Sequence, residues 1–313
     1  MVKRHHKYIY DQLVNILAQN DVTINKELYT HTYTRLGGTA DFFVTPNNFS
    51  EVQQVVQFAK AESIPFTLLG NGSNLIIKDG GIRGIVMSLK NLAKITTTDT
   101  TIVAESGARI IDVSRVALQE HLTGLEFACG IPGSVGGALY MNAGAYGGEI
   151  KDVLHSTTVV DKDGEIKVLL AEQLDLSYRT SNIPTNNYIV LDATFHLQPG
   201  NYQAIKAIMD DLTYKRESKQ PLEYPSCGSV FKRPPGYYAG KLIQDSGLQG
   251  ARVGGAEVSL KHAGFIINRN GATAKDYIEL IHHVQKTVKE NFGVTLEREV
   301  RIIGEDEGEK IVF

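Results

Sequence analysis

Glycine density between residues 124 and 148 constrains the fold more than any other feature of the chain. Eight glycines stand in this stretch, and most residues between them are small. Each glycine costs roughly 0.5–1 kcal/mol relative to alanine inside a helix or strand, so a long regular element is disfavoured. An isolated glycine pair usually marks a tight turn between core strands. At this density the pattern favours a backbone that adopts positive φ angles or lies flat against a large ligand.

The segment that begins at Pro132 has the composition of an anion-binding turn. Gly133, Ser134, Gly136 and Gly137 can direct several backbone N–H groups to one side, where they would hold a group such as a pyrophosphate. The fixed φ of Pro132 stiffens the entry into this turn. The alternative interpretation is ordinary turn chemistry between core strands.

Composition limits the classes of protein that the chain can belong to. Its 313 residues suggest about two domains, and 42% hydrophobic residues suffice for a sizeable core. The net charge of -3 and the lack of a basic stripe argue against a nucleic-acid partner. No run of roughly 18 apolar residues and no signal-peptide pattern occur, so no membrane association is expected. Cys129 and Cys227 lie far apart, which predicts no disulfide framework and fits a reducing cytoplasm.

Common catalytic and nucleotide motifs are absent. Residues 70–74 (GNGSN) suit positive φ angles, but Leu75 fills the position where a dinucleotide-binding turn has Gly or Ala. Neither GxxxxGK[ST] nor GxSxG occurs, which excludes the P-loop and the α/β-hydrolase nucleophile motif. The nine histidines include no HExxH and no zinc-spaced Cys/His cluster, so no metal is expected.

Hydrophobic periodicity predicts an α+β protein with two strand-rich units, 33–200 and 201–313, after a helical segment over 1–32. Asp163-Gly164 indicates a hairpin, and the last third alternates strand and helix in a βαβαβ-like order. Helices are predicted over 8–19, 51–62 (capped by Ser50), 110–119, 202–215, 238–245 and 274–291. Strands are predicted over 66–69, 75–78, 85–88, 101–105, 153–160, 166–170, 188–197, 229–231, 264–268 and 299–303.

Three polar residues in the second half are candidates for chemistry. Arg179 lies in a short polar loop, Ser229 follows a glycine, and Glu299 stands at the start of a predicted strand. Taken singly, each favours an ordinary interpretation: a surface arginine, a turn serine and a solvated glutamate. Spacing alone therefore assigns none of them a role.

Six motifs taken together are specific. RLGGTADF, LLGNGSNLII, GIPGSVGGALYMNAGAYG, LSYRTS, CGSVFKRP and LEREVRIIG occur in this order between residues 33 and 304. This set resembles the UDP-N-acetylenolpyruvoylglucosamine reductase (MurB) family of flavoenzymes. The resemblance implies an FAD-binding domain of the vanillyl-alcohol-oxidase (PCMH) type over 33–200, with segment 1–32 packed on it. It also implies a C-terminal α/β substrate-binding domain over 201–313.

The resemblance implies a reaction of peptidoglycan precursor synthesis. NADPH reduces non-covalently bound FAD, and the flavin then reduces the enolpyruvyl ether of UDP-N-acetylglucosamine to UDP-N-acetylmuramate. Negative charge builds beside the substrate carboxylate. By resemblance, Arg179 and Glu299 stabilise this charge, and Ser229 delivers a proton to the carbanionic carbon. Glu299 serves best if it is protonated, which requires burial to raise its pKa.

The same match implies which residues contact the ligands. Those assigned to FAD are Gly37, Gly38, Gly70, Asn71, Gly72, Ser73, Asn74, Pro132, Gly133, Ser134, Gly136, Gly137, Asn142, Ala143, Gly144, Ala145 and Arg301. Those assigned to the substrate are Lys219, Lys232, Arg233 and His262. The chain resembles the shorter class of the family, which lacks a loop whose tyrosine covers the substrate. Two alternatives stay open: another FAD-dependent oxidase of the same fold, and a nucleotide-binding module without chemistry.

Overall fold

The computed structural model describes residues 2–308, with side chains from Arg4 onward, so the last five residues of the predicted C-terminal unit lie outside it. Its helices are α1 (Val2–Ile16), α2 (Phe49–Ala61), α3 (Ile110–Gln119), α4 (Val135–Tyr140), α5 (Tyr202–Lys219), α6 (Ala239–Asp245) and α7 (Ala274–Phe292). Helix α2 begins earlier than predicted, because Asn48, not Ser50, accepts the backbone N–H of Glu51 as the N-cap.

The strands form three sheets of four or five strands and several short pairs. They are β1 (Val22–Glu27), β2 (Thr39–Val44), β3 (Phe66–Leu69), β4 (Leu75–Ile77), β5 (Ile82–Ser88), β6 (Ile95–Thr98), β7 (Thr101–Glu105), β8 (Leu122–Thr123), β9 (Gly144–Ala145), β10 (Gly148–Glu149), β11 (Leu154–Val160), β12 (Ile166–Leu170), β13 (Ile189–His196), β14 (Gln198–Pro199), β15 (Ser226–Ser229), β16 (Arg252–Val253), β17 (Ala256–Val258), β18 (Phe265–Asn268) and β19 (Arg301–Ile303).

The first sheet has the order β1-β2-β5-β3, with β1 antiparallel to β2 and the other neighbours parallel. Apolar residues of α1 and α2 pack on it, among them Leu13, Val52 and Val55. Strand β1 lies inside the segment predicted to be helical. Its sequence VTINKE gave no strand pattern because β1 is an edge strand on which only Val22 is buried.

The second sheet is antiparallel, with the order β12-β11-β13-β7-β6. The predicted Asp163-Gly164 hairpin is confirmed, since β11 and β12 pair from Val160 opposite Ile166. Gly164 has a φ of 83°, the left-handed conformation that such a turn requires. Helices α3 and α4 pack against this sheet, and α4 lies within the glycine-rich stretch 124–148.

The C-terminal sheet has the order β15-β18-β17-β16 and is antiparallel throughout. The five elements of the predicted βαβαβ-like order are present, but β16 and β17 were not predicted. Helices α6 and α7 contribute to the core of this sheet. The strand predicted over 229–231 ends instead at Ser229, where the pairing of β15 with β18 shifts register. Strand β19 lies outside this sheet. It pairs in parallel with β4, and Arg301 lies opposite Leu75.

Helix α5 connects the two units and packs on the first. Its buried residues Ile205 and Met209 cluster with Cys129. The unit boundary at 200/201 remains a prediction, but the packing of α5 places the helix with the residues before it. Cys129 and Cys227 are both buried free thiols. Within the described residues, no helix is long and apolar enough to cross a membrane, and no group of side chains could hold a metal ion.

Candidate active site

A cleft of about 2120 Å³ lies where the three sheets meet, and it brings together most of the predicted site residues. Of the predicted cofactor residues, those lining it are Gly70, Asn71, Gly72, Ser73, Asn74, Pro132, Gly133, Ser134, Gly136, Gly137, Ala143, Gly144, Ala145 and Arg301. Arg179, Ser229, Glu299, Lys219, Arg233 and His262 also line it. A space of this size holds more than one drug-sized ligand, since such pockets are usually about 300–1,000 Å³.

Two glycine-rich loops, 70–74 and 132–137, face each other across one end of the cleft. Asn71 Nδ2 donates to Pro132 O at 2.5 Å, and Ser134 Oγ caps α4 by accepting the Gly137 N–H at 3.3 Å. No hydrogen bond within the described chain uses the backbone N–H groups of 71–74, 133 or 134. These donors suit the phosphate and ring oxygens of a bound nucleotide, so the loops have the donor set of an anion site.

The glycines of this region are required for two different reasons. A Cβ on Gly133 would meet nothing closer than 3.8 Å, and one on Gly70 or Gly137 would meet only Ser134 Oγ at 3.3 Å. Gly133 therefore leaves open space in the cleft, whereas a side chain at Gly70 or Gly137 would press on Ser134 Oγ. A Cβ on Gly72 would lie 2.1 Å from His31 O, and one on Gly136 would lie 2.1 Å from Ser106 Oγ. Close packing within the protein explains these two glycines without any ligand.

Gly37 and Gly38 lie outside the cleft, although the resemblance assigned them to FAD. A Cβ on Gly37 would lie 2.8 Å from Ile77 Cβ, and one on Gly38 would lie 2.2 Å from Asp79 O. Both glycines are needed because their backbone crosses the end of β4 at close range. The structure therefore gives them a packing role.

Arg179 and Glu299 form an ion pair within the cleft. Arg179 Nε lies 3.0 Å from Glu299 Oε1, and Arg179 Nη2 donates to Gly144 O at 2.7 Å. Both side chains are mostly buried, with exposed fractions of 19% and 16%. The two residues come from segments 120 positions apart in the sequence, so their contact could not be read from spacing.

Burial raises the pKa of Glu299, although the Arg179 charge and hydrogen bond and the more distant Lys232 charge lower it. Desolvation outweighs these attractions because it penalises the charged carboxylate. The direction is the one required if Glu299 is to donate a hydrogen bond. A larger fraction of this side chain is protonated at a given pH than of an ordinary glutamate.

Ser229 is the last residue of β15, and its neighbour Val230 is hydrogen-bonded to the backbone of Glu299. The Glu299 N–H donates to Val230 O at 2.9 Å, so the residue after Ser229 is tied to Glu299. Gly228 has a φ of 77°, which turns the chain just before the serine. Within the described residues, Ser229 Oγ makes no hydrogen bond, and a Cβ on Gly264 would lie 3.8 Å from it. The hydroxyl is exposed in the cleft and available to a ligand.

Asn74 connects the first glycine loop to Glu299 and to Arg301, the first residue of β19. Asn74 Nδ2 donates to Glu299 O at 3.2 Å, and Asn74 O accepts the Arg301 N–H at 3.2 Å. The Arg301 guanidinium lies 4.8 Å from the ring centroid of Tyr140. The loop 70–74 therefore both lines the cleft and holds the backbone of Glu299 and Arg301.

The residues predicted to bind substrate separate into three that line the cleft and one that does not. Arg233 stacks over Tyr238, with its guanidinium carbon 4.0 Å from the ring centroid. His262 Nδ1 accepts the Gly264 N–H at 3.1 Å, and burial lowers the pKa of His262, so the neutral ring donates through Nε2. Lys219 ends α5 at the rim. Lys232 lies outside the cleft and pairs with Glu297 at 2.5 Å.

Arg216 and Tyr178 are cleft residues that the sequence analysis missed. A Cβ on Gly130 would lie 2.8 Å from Arg216 Cδ, so glycine makes room for this side chain. Arg216 has no ion-pair partner among the described residues, and burial lowers its pKa. Its i, i+3 spacing to Lys219 on α5 is the sequence signal that could have identified it. Tyr178 Oη accepts the Arg233 N–H at 3.4 Å.

Asn142, assigned to FAD by resemblance, is fully buried and does not line the cleft. Its side chain donates to Glu149 Oε2 and to Ser177 O, both at 3.0 Å, and accepts the Lys151 N–H at 2.9 Å. These contacts join three segments beneath the cleft wall. The amide is therefore occupied by the protein itself.

Comparison with known proteins identifies the family. A model described as UDP-N-acetylenolpyruvoylglucosamine reductase, C-terminal domain, matches residues 220–303, and an FAD binding domain model matches residues 40–169. The UDP-N-acetylenolpyruvoylglucosamine reductase of Oceanobacillus iheyensis is 68% identical over 302 residues, which is 96% of this chain and 98% of that protein. The chain belongs to the UDP-N-acetylenolpyruvoylglucosamine reductase family.

Further relatives agree with this family assignment. UDP-N-acetylenolpyruvoylglucosamine reductase 2 of Bacillus cereus is 63% identical over 298 residues, covering 95% of this chain and 98% of that protein. The crystal structure of the reductase from Thermus caldophilus superposes with a TM-score of 0.77 at 34% identity, over 90% of this chain and 97% of that chain. The predicted α+β fold class, with an FAD-binding domain and a C-terminal reductase-family domain, is confirmed.

The cleft also fits the cofactor that the family match implies. The FAD binding domain match spans both glycine-rich loops. The open space at Gly133 and the unused N–H groups of 71–74, 133 and 134 suit a diphosphate and a flat ring. The residues present therefore fit FAD.

Proposed function

We propose that this protein reduces the enolpyruvyl ether of UDP-N-acetylglucosamine to UDP-N-acetylmuramate, with NADPH as the reductant and FAD as the cofactor. The observation that carries the proposal is the meeting of the Arg179–Glu299 pair with Ser229 in the cleft that both glycine loops line. The product is a precursor of peptidoglycan, so the activity belongs to cell-wall synthesis.

The glycine loops would hold FAD through the unused backbone N–H groups of 71–74, 133 and 134. When bound, FAD supplies the hydride carrier between NADPH and the substrate. Pro132 and Asn71 keep the two loops together through their 2.5 Å hydrogen bond, so both loops can contact one ligand. The small residues at Ala143, Gly144 and Ala145 leave the adjoining wall flat.

Arg179 and Glu299 would stabilise the charge that develops on the substrate. Hydride addition to one alkene carbon leaves negative charge on its neighbour, and the adjoining carboxylate takes up part of that charge. Arg179 is held 3.0 Å from Glu299 before any substrate enters, so the donors need little reorganisation. A protonated Glu299 donates to the enolate oxygen, whereas an ionised one would repel it.

Ser229 would complete the reduction by moving the proton on Oγ to the carbanionic carbon. A serine hydroxyl is a weak acid, but a carbanion is a strong enough base to accept its proton. Within the described residues no histidine forms a hydrogen bond with Ser229, so no base is positioned to activate the hydroxyl as a nucleophile. The site therefore favours protonation of the substrate over acyl transfer.

Three basic or polar cleft residues, Lys219, Arg233 and His262, would bind the nucleotide part of the substrate. NADPH, which also carries a diphosphate, would use the same space before the substrate enters. Identity of 68% along nearly the whole chain supports the reductase over an alcohol or sugar oxidase of the same fold. NADPH and a nucleotide-linked sugar as reactants, together with two buried free thiols, support a cytoplasmic location.

Ser229→Ala tests the assigned proton donor. The variant should bind FAD and be reduced by NADPH at the wild-type rate, but it should lose at least about 100-fold in the rate of enol ether reduction. Stopped-flow absorbance of the flavin separates the two steps. Ser50→Ala, on α2 and outside the cleft, is the matched control and should leave both rates within about twofold. Normal turnover of Ser229→Ala would remove Ser229 from the mechanism.

A further inference from the structure

Arg179 occupies an unfavourable backbone position in a tight turn. Ser177 and Thr180 exchange two backbone hydrogen bonds of 3.1 Å, which makes 177–180 a closed turn, here called the arginine turn. Arg179 has a φ of 55°, in the left-handed region where glycine and asparagine are favoured. The surrounding structure must therefore hold the arginine turn in place.

Three side-chain-to-backbone hydrogen bonds fasten this region to residues 140–144. Ser181 Oγ donates to Tyr140 O at 2.7 Å, and Asn142 Nδ2 donates to Ser177 O at 3.0 Å. Arg179 Nη2 donates to Gly144 O at 2.7 Å. The Asn142 bond goes to the same carbonyl that closes the turn, because Ser177 O also accepts the Thr180 N–H. Asn142 thus holds the turn at its first residue.

Asn142 is adapted to this role by its conformation and its burial. Its φ is 44°, a region that asparagine tolerates better than most residues, and it is fully buried. Its two N–H groups reach Ser177 O and Glu149 Oε2, and its oxygen accepts the Lys151 N–H. An aspartate of the same shape would lose both donors and place a charge beside Glu149.

We propose that Asn142 is a positioning residue that sets the geometry of Arg179 toward Glu299. This replaces its assignment as a cofactor contact, because the amide is enclosed by the protein and lies outside the cleft. The consequence for catalysis rests on the proposed function. Loss of the Asn142 bond frees the arginine turn, so the donors that meet the developing negative charge are displaced, while the glycine loops stay intact.

Asn142→Asp is the test, with Asn25→Asp as the matched control. Asn25 also has a positive φ, 51°, but it is exposed on β1. For Asn142→Asp we expect FAD affinity and flavin reduction by NADPH within about threefold of wild type. We expect enol ether reduction at least tenfold slower, with kcat reduced more than KM is raised, because ground-state binding uses other residues. Asn25→Asp should match wild type in every measurement.

A crystal structure of the Asn142→Asp variant gives a readout independent of the reaction. The expected result is an arginine turn displaced from residue 142, with the contact to Ser177 O lost, and an Arg179–Glu299 distance well above 3.0 Å. An unchanged turn, or equal slowing of both half-reactions, would overturn the positioning role. If Asn142→Asp does not fold, Asn142→Gly replaces it in the rate measurements and in the crystal structure. Glycine tolerates the left-handed backbone and adds no charge, and the same results are expected. If the wild-type protein fails to reduce the enol ether, the proposed function is wrong, and the crystal structures still decide the role of Asn142.

Discussion

At the scale of single residues, the ionisation of Glu299 controls what the site can do. Its carboxyl is 16% exposed and 3.0 Å from the Arg179 guanidinium. Burial favours the protonated form and the guanidinium favours the ionised form. Because burial has the larger effect, the pKa of Glu299 is raised. The protonated form exists below this raised pKa and is lost as the pH rises through it. Enol ether reduction should therefore decline on the alkaline side of the Glu299 pKa.

Replacement of Glu299 by glutamine tests this dependence. Glu299→Gln keeps a hydrogen-bond donor that does not titrate, so it should retain part of the activity and lose the alkaline decline attributed to Glu299. Glu299→Ala removes the donor and should lower kcat by about 10²–10³. The measurement is the rate of flavin reoxidation by substrate from pH 5 to 9. An unchanged alkaline decline in Glu299→Gln would assign the titration to another group.

Sequence predicted some of these residues better than others. The glycine pattern alone pointed to the cleft wall, but Arg179, Ser229 and Glu299 were joined only by resemblance to a family. They are distant in sequence. The pairing of β15 with β18 and of β19 with β4 places Ser229 and Glu299, and hydrogen bonds between residues 177–181 and 140–144 place Arg179. Asn142, Gly37 and Gly38 were assigned to the cofactor because motif membership does not reveal whether an atom faces a ligand or the protein.

At the scale of elements, the glycine loops combine packing positions with ligand positions. Gly72 has a φ of 66° and would bring a Cβ to 2.1 Å from His31 O, whereas Gly133 has an ordinary φ and open space around it. The two glycines are similar in sequence context, and no local pattern separates them. The loops are dense in glycine because some positions need it for close packing within the protein and others leave open space for a ligand.

Alanine at these two glycines should separate stability from cofactor binding. Gly72→Ala should lower the free energy of unfolding of the apoprotein by at least about 1–2 kcal/mol, from the left-handed backbone alone. Gly133→Ala should change it by less than about 0.5 kcal/mol, yet weaken FAD binding about tenfold or more, because the new methyl group enters the cleft. Urea unfolding and FAD titration check the pair. Equal effects of the two variants on stability would contradict the distinction.

Element boundaries show where sequence patterns carried too little information. Strand β1 was missed because an exposed edge strand has no apolar alternation, and β16 is only two residues long. The antiparallel order of the C-terminal sheet was missed because alternation of strand and helix does not specify which strands pair. Segments with a regularly spaced buried face, such as α3 and β7, were predicted at their observed bounds.

At the scale of the whole molecule, the active site belongs to neither unit alone. Strand β19 comes from the C-terminal part but pairs with β4 of the first. This pairing brings Arg301, and Glu299 two residues before it, to the glycine loops. Helix α5 packs on the first unit and brings Arg216 and Lys219 to the same cleft. The glycine loops, the three proposed catalytic residues and the proposed nucleotide-binding residues thereby line one space, as the proposed reaction with two successive ligands requires.

The most direct test of the account is an anaerobic flavin spectrum recorded in three steps. The purified protein should show oxidised FAD, bleach when NADPH is added, and recover its colour when UDP-N-acetylglucosamine enolpyruvate is added. Recovery would establish both half-reactions in one cleft. A flavin that bleaches but stays reduced after the enolpyruvyl substrate is added would contradict the proposed function, and a protein that takes up no FAD would contradict the interpretation of the glycine loops.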